Sequence, residues 1–136
     1  MERYLGLDIG DKTIGVAVSD PFFMMAQGVK TIRRTNEEED IDEILRLIDE
    51  YNIIKIISGL PKNMNNTIGP QSEKVIAFVN KLKEKTDIEI LYQDERLTTV
   101  SAERILIEGN VSRKKRKGLI DKVAATYILQ AYLDRR

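Results

Sequence analysis

The chain of 136 residues has no cysteine, no histidine and no tryptophan. Without Cys there is no disulfide, thiol nucleophile or thiolate zinc site; without His, neither a Ser-His-Asp triad nor an imidazole acid-base pair can be assembled. Any proton or metal chemistry must rest on Asp, Glu, Lys, Tyr, Ser and Thr, and the carboxylates among these favour hard Mg²⁺ or Mn²⁺. An excess of one charge is also missing, since 22 Lys+Arg balance 22 Asp+Glu. Overall charge therefore gives no reason for nucleic-acid coating. No apolar run approaches a membrane span, and no basic-then-apolar segment opens the chain, so a cytoplasmic protein without membrane association is expected. With only 3 Pro and no repeat, one domain over residues 1–136 is expected. At that length it buries roughly two thirds of the surface of the unfolded chain.

What is present reads as strands followed by alternating helices and strands. Arg3 to Ile9 places Leu5, Leu7 and Ile9 on one face and Tyr4, Gly6 and Asp8 on the other, a strand with an acid on its sparse face. Gly10-Asp11-Lys12-Thr13 turns into a second β-rich run, Ile14 to Ser19, forming a hairpin, and Gly28 to Arg34 supplies a third strand. Thr35-Asn36 with Glu38 and Glu39 carries two overlapping capping boxes, and Glu37 to Asp40 suits the positive end of a helix dipole. Ile41, Ile44, Leu45, Ile48 and Tyr51 then recur at helical spacing. Ile53 to Ile57 reads as a strand covered on both faces and ended by Ser58-Gly59-Leu60-Pro61. After a polar loop, Lys62 to Thr67, Pro70 opens a helix with a Val75, Phe78, Val79 and Leu82 stripe. Asp87 to Tyr92 is the next strand, running into Asp94-Glu95-Arg96. A helix follows from Thr98 or Thr99 to Gly109, and a last one runs from about Leu119 to Leu133. The order β-β-β-α-β-α-β-α-α predicts an α/β mixed sheet, antiparallel over its first three strands and parallel thereafter, flanked by helices.

Asp is depleted in strand interiors, so burial of Asp8 needs an offset. Its plainest role is to open the turn and pair with Lys12. Gly6 and Gly10, which leave both sides of the carboxylate bare, allow instead for a ligand. Asp94-Glu95-Arg96 projects from a carboxyl edge, where ligands gather in open α/β sheets. It is either an acidic loop balanced by Arg96 or the source of one site acid, and alternation lets only one of Asp94 and Glu95 face a site without saying which. Asp121 lies one turn into the last helix, on the shoulder of its apolar stripe. Alone it reads as an N-terminal acid favoured by the dipole. As a set, Asp8, Glu95 and Asp121 come to a common edge, where three carboxylates repel each other unless a cation joins them. Two divalent ions roughly 4 Å apart would activate water and neutralise charge developing on a phosphodiester.

Positive charge is gathered in Arg113-Lys114-Lys115-Arg116-Lys117, just before Asp121. Such a run is ordinarily a solvated loop, but beside a metal site it fits phosphate backbone. Aromatic residues make up 6% of the chain and none alternates with these bases, so backbone contact is expected over base stacking.

Four blocks in order carry a resemblance over nearly the whole chain. They are Leu7-Asp8-Ile9-Gly10-Asp11-Lys12-Thr13-Ile14-Gly15-Val16-Ala17-Val18-Ser19-Asp20; Gly59-Leu60-Pro61 with Asn63-Met64 and Gly69-Pro70; Asp94-Glu95-Arg96-Leu97-Thr98-Thr99; and Lys117-Gly118-Leu119-Ile120-Asp121 with Ala124-Ala125 and Ile128-Leu129-Gln130. The set resembles the YqgF family, bacterial RNase H-like proteins described as pre-16S ribosomal RNA nucleases and earlier as Holliday-junction resolvases. The resemblance implies an RNase H-like fold and a metal-dependent acidic site at Asp8, Glu95 and Asp121, with trimming of the 5′ end of the 16S rRNA precursor in ribosome maturation. Two positions depart from the family pattern: Thr13 stands where Arg is usual, and Asn65-Asn66 where Asp-Gly is frequent. Asn tolerates left-handed backbone, so that turn can persist.

The expected activity is a Mg²⁺- or Mn²⁺-dependent endonuclease on structured RNA, with Lys12, Arg96, Arg113, Lys114, Lys115, Arg116 and Lys117 contacting nucleic acid. Junction resolution on branched DNA is an alternative that needs a dimer, and the sequence shows no clear dimer seam; a monomer or weak homodimer is expected, with a ribosomal particle as a further partner. A second alternative is a non-catalytic module on rRNA or a transcription complex. An actin-like ATPase shares the Asp8-x-Gly10 opening but needs two related domains, which this length does not supply.

Overall fold

The computed structural model describes residues 1–61, 69–94 and 113–135, with residues 113–121 defined by backbone path alone. Its elements are β1 (Arg3–Ile9), β2 (Thr13–Ser19), β3 (Ala26–Arg33), α1 (Glu37–Tyr51), β4 (Ile53–Leu60), α2 (Pro70–Lys83), β5 (Glu89–Asp94) and α3 (Arg113–Arg135). The strands form one sheet in the order β3-β2-β1-β4-β5. β1 pairs antiparallel with β2, and β2 with β3, while β1-β4 and β4-β5 are parallel. The expected mixed five-stranded sheet is therefore present, with β1 at its centre. The loop expected over 62–67 and the helix expected over 98–109 lie outside the described residues.

Element ends differ from the sequence reading where pairing overrides local signals. β4 does not stop at Ser58-Gly59: those residues stay in the ladder because Tyr92 and Gln93 pair with them, and Leu60 pairs with Asp94. β5 correspondingly begins and ends two residues later than Asp87 to Tyr92. β3 starts at Ala26, opposite Ser19. The largest difference is α3, which begins at Arg113 and not near Leu119. Arg and Lys are good helix formers, so the basic run continues the helix past Gly118, whose presence inside it costs about 1 kcal/mol relative to Ala.

Period-two alternation sorts the sheet into two apolar faces. Leu5, Leu7 and Ile9 of β1, with Ile14 and Val16 of β2 and Ile56 of β4, are buried under Ile41, Ile44 and Leu47 of α1 and Val75, Phe78 and Leu82 of α2. The opposite face joins Tyr4, Ala17 and Ile57 to Ala125, Ile128, Leu129 and Leu133 of α3. α1 opens with Asn36 as its cap, whose side chain accepts from the Glu39 N–H at 2.9 Å, and closes on Asn52 in the left-handed region, φ 54°. Of the overlapping caps read from sequence, Asn36 takes the role; Thr35 donates its hydroxyl to the Glu39 carboxylate at 2.6 Å.

One packing detail governs α3. Gly6, Ala17 and Gly28 are aligned across β1, β2 and β3, each paired with the next, so three small residues form a row on one face. A Cβ on Gly6 would lie 2.8 Å from Leu129 Cβ and 3.1 Å from the Ala125 carbonyl oxygen, and one on Gly28 would lie 2.7 Å from Lys122 Cγ. The row thus admits the helix backbone itself. Gly6 was expected to clear space for a ligand beside Asp8; that space is filled by α3 instead. At the far end of the same face, Gln130 accepts from the Ala26 N–H at 2.8 Å and donates to the Met24 carbonyl at 3.0 Å, tying α3 to the β2-β3 connection.

Because the atoms that a Gly6 side chain would strike are on helix backbone or attached directly to it, Gly6→Ala is expected to destabilise the fold by about 1–3 kcal/mol. Urea unfolding monitored by circular dichroism reads this; a midpoint equal to wild type would show that the helix lifts without cost.

Candidate active site

Asp8 is the penultimate residue of the central strand and is half-buried, on the face that carries α3. Its antiparallel partner on β2 is Gly15. On the other side the parallel register runs Leu7↔Ser58, so the next level brings Asp8 beside Gly59, which in turn pairs with Gln93 of β5. The positions flanking Asp8 across the sheet therefore carry no side chain. The adjoining strands thus add to the small residues read from sequence, through Gly15 and Gly59, whereas along β1 itself Gly6 is covered by α3.

The direction of α3 follows from its contacts. Leu129 and Ala125 lie over Gly6, and further along the helix the Tyr132 ring meets Tyr4 edge-on at 6.1 Å. Moving towards Asp8 along β1 therefore means moving back along the helix, towards position 121. That position is one turn before Ala125 and two before Leu129, on the same stripe. It lies about two turns inside α3, not one turn from its start, so the helix dipole, which acts within the first turn, gives no reason for an acid there.

On β5, Ile90 and Tyr92 belong with the core beneath α1 and α2, and Leu91 packs with the α3 cluster. Alternation then sets Gln93 on the face of Asp8 and exposed Asp94, the last residue of β5, on the opposite face. Glu95 and Arg96 lie outside the described residues, as do the side chains of Arg113, Lys114, Lys115, Arg116, Lys117 and Asp121; the helical backbone places the basic run in the first turns of α3. Lys12 is exposed in the β1-β2 turn. Among the described residues no three His, Cys, Asp or Glu side chains group as a metal site.

Residues that sequence reading passed over hold the turn after Asp8. Arg34 donates through Nη1 to the Gly10 carbonyl at 2.7 Å and through its backbone N–H to the Lys12 carbonyl at 2.9 Å. Its Nε donates to Asp40 at 2.9 Å, and its guanidinium lies 4.9 Å from the centroid of the Phe78 ring. Asp40, read from sequence as one of four dipole acids, is buried at 3% exposure and also accepts from the Thr35 N–H at 3.1 Å. A cavity of about 250 Å³ adjoins this turn, lined by Gly10, Asp11, Arg34, Glu37, Gln71 and Lys74. Its acids and bases cancel, so it has no preference for an anion. Near the end of β5 the Tyr92 hydroxyl and Gln93 Oε1 are buried with no hydrogen-bond partner among the described residues; burial pushes the Tyr92 hydroxyl up from its ordinary pKa.

A mixed sheet in the order 3-2-1-4-5, with an acid at the end of its central strand and a long helix laid antiparallel across that strand, is the RNase H-like architecture. The chain belongs to the RuvX family, described as "Holliday junction resolvase", whose model matches residues 2–135; this bears out the resemblance to YqgF proteins. A relative from Clostridium tetani (strain Massachusetts / E88) is 61% identical over 132 residues, 97% of this chain and 96% of that one, and is named "Putative pre-16S rRNA nuclease". The relative of the same name from Clostridium botulinum (strain Hall) is 60% identical with equal coverage. Among solved structures, T. thermophilus RuvC in complex with a Holliday junction superposes with a TM-score of 0.62 at 12% identity, covering 99% of this chain and 96% of that one. The Fowlpox virus resolvase with its junction DNA gives 0.59 at 13%, covering 97% of each. At these identities the two structures speak for the fold alone.

Arg34→Met would leave Asp40 charged and buried without its cation. It is expected to cost about 3 kcal/mol in urea unfolding, whereas Arg34→Lys, which keeps a charge but not the fork, is expected to cost less. A loss no larger than that of a surface substitution, about 0.5 kcal/mol, would show that the pair does not hold the turn.

Proposed function

We propose that the protein is a divalent-cation-dependent nuclease acting on structured nucleic acid, with the 5′ end of the pre-16S rRNA as its substrate. The observation that carries the reading is the convergence at the β1 end. Asp8 lies on the α3 face, position 121 lies one turn beyond Ala125 in its direction, and β5 ends with Asp94 turned to the opposite face. Because Asp94 faces away, the reading takes Glu95 as the second acid. Asp8, Glu95 and Asp121 supply only carboxylate oxygens, the donor chemistry that suits Mg²⁺ or Mn²⁺. When bound, such ions supply charge neutralisation and activation of the attacking water at a phosphodiester.

The chain's own residues do the rest. Asp8, Glu95 and Asp121 hold the cations, and the turn clamped by Arg34 keeps Asp8 from shifting with the exposed residues Asp11 and Lys12. Arg113 to Lys117 place consecutive cations where α3 already presents the positive end of its dipole. That arrangement is unfavourable for an isolated helix and favourable for one that meets phosphates, and Lys12 and Arg96 are the further bases of the proposed interface. The names of the close relatives favour rRNA. Junction DNA is the second substrate to assay, because the matching family is described as a resolvase. A cytoplasmic location and association with a ribosomal particle follow from that substrate, and no helix among the described residues is long and apolar enough to cross a membrane.

Asp8→Asn and EDTA are each expected to lower cleavage of a pre-16S 5′ fragment in Mg²⁺ by about 10²–10³-fold, the loss of several kcal/mol of transition-state stabilisation. Cleavage unchanged in all lanes defeats the proposal, and symmetric nicking of a four-way junction by a dimer, with rRNA left intact, transfers it to DNA. Separately, Lys115→Ala with Arg116→Ala is expected to reduce the slope of log K against log salt for RNA binding by about one for each phosphate no longer neutralised; an unchanged slope removes the basic run from the interface.

A further inference from the structure

Arg33 and Arg34 are consecutive on the chain and are put to opposite uses. Arg34 turns inward, to Asp40 and the Gly10 carbonyl. Arg33 is exposed, and its guanidinium forms no ion pair or hydrogen bond among the described residues. Three carboxylates line the same cavity as Arg33, about 400 Å³ between β3 and α1, and each is engaged elsewhere. Asp40 is held by Arg34, Glu43 accepts from Lys30 at 2.6 Å and also from Arg46, and Glu39 accepts from the Thr35 hydroxyl at 2.6 Å. Lys12, exposed in the β1-β2 turn and also without such a partner, stands beside Arg33: its carbonyl accepts from the Arg34 N–H at 2.9 Å. The acid next to it in the turn, Asp11, pairs with Lys74. Two cations on adjoining strands with no acid of their own repel each other, so folding alone gives no reason to set them together.

The sheet fixes where Arg33 stands relative to Asp8. Ile32 is buried under α1 and α2, so alternation sets Arg33, opposite Thr13, on the other face, the one that carries α3 and Asp8. Asp8 pairs with Gly15 and Gly15 with Thr31, and Arg33 is two residues further along β3 towards the carboxyl edge. Two strand spacings across and two residues along put the backbones about 12 Å apart. On a nucleic-acid strand rising about 3.4 Å per phosphate, that interval is about three or four phosphates. The helix with the basic run is seated on the same strand: Lys122 lies against Gly28, and α3 runs back from there towards the Arg33 end.

We propose that Arg33, with Lys12 beside it, is a phosphate-binding pair for the nucleic-acid substrate, holding its backbone about three or four phosphates from the bond presented to Asp8. The planar guanidinium takes two phosphate oxygens at once, and the Lys12 ammonium adds a point charge. The inference rests on the proposed function and extends the interface to β3, a strand that carries neither the basic run nor any of the three carboxylates.

The test follows binding of a labelled pre-16S 5′ fragment to the full chain by fluorescence anisotropy over a salt series, in EDTA so that no cleavage intervenes. It compares wild type, Arg33→Gln, Arg33→Lys, the double variant Lys12→Gln with Arg33→Gln, and Lys85→Gln, an exposed lysine just past the end of α2 remote from the turn. Arg33→Gln is expected to bind about five- to tenfold more weakly at about 0.1 M salt and to lower the slope of log K against log salt by about one, the double variant by about two. Arg33→Lys keeps the slope, Lys85→Gln matches wild type, and all melt at the wild-type temperature because the replaced side chains hold no partner. A fragment with one phosphate neutralised as a methylphosphonate, about three or four phosphates from the bond cleaved in Mg²⁺, is expected to weaken wild type to the level of Arg33→Gln and to weaken Arg33→Gln no further. An unchanged slope in the double variant overturns the proposal, as does an equal loss in Lys85→Gln or a neutral phosphate that affects wild type and Arg33→Gln alike at every position. If wild type binds and cleaves the fragment while the Arg33 variants behave as it does, the Arg33 pair alone falls. If wild type neither binds nor cleaves it, the proposed function falls and this inference with it.

Discussion

The close approach of α3 to the sheet is the constraint on which the site depends. Three small residues in register, Gly6, Ala17 and Gly28, let the helix settle until Leu129 Cβ and the Ala125 carbonyl occupy the space a Gly6 side chain would take. Dispersion falls off within an ångström of optimal contact, so the row fixes both the height of the helix and its rotation. Rotation is the functional variable. It sets which stripe of α3 faces β1, and the stripe through Leu129 and Ala125 continues to position 121 in the direction of Asp8. A bulkier residue in the row would raise the helix and move the acid on it away from the acid on the strand.

The second constraint is the pleat. β1, β4 and β5 are parallel, so their carboxyl ends finish at one edge, and at each level only every other residue faces α3. Asp8 and Gln93 share that face, while Asp94 falls on the other. Gly15 and Gly59 beside Asp8 leave its surroundings free of side chains from the adjoining strands. The same alternation that buries Leu5, Leu7 and Ile9 under α1 and α2 thus presents a carboxylate on the far side, and one strand serves the core and the site at once.

Charge is distributed by location and not by excess. A chain of zero formal net charge has little long-range attraction for nucleic acid, yet its five consecutive bases occupy the start of the helix whose interior bears Asp121. The proposed phosphate contact and cation binding would therefore share one helix. Arg34, by contrast, directs its charge internally to Asp40 and the Gly10 carbonyl. Its task is to hold the turn that follows the strand bearing Asp8, and a solvated arginine could not do it.

Much of this was legible in the sequence because local periodicity reports local structure. The alternation of Arg3 to Ile9, the stripe from Ile41 to Tyr51 and Pro70 as a helix opener each correspond to an element, and the strand and helix order restricts the sheet to few arrangements. Residue chemistry alone excluded thiol and imidazole catalysis. What the sequence could not carry is anything that depends on which strand lies beside which. Ser58-Gly59 reads as a strand stop, and pairing with Tyr92 and Gln93 keeps it in the ladder; Gly6 reads as room for a ligand, and it is room for a helix. The buried Arg34-Asp40 pair and the Gln93 oxygen, without a partner among the described residues, left no signal in spacing, since an ion pair or an orphaned acceptor is defined by neighbours distant along the chain. The primary chain determined the elements and the kinds of chemistry available to them. Only the tertiary structure decided that Asp8 shares the face of α3 while Asp94 is turned from it, because register and helix rotation are set by contacts between segments and not within them.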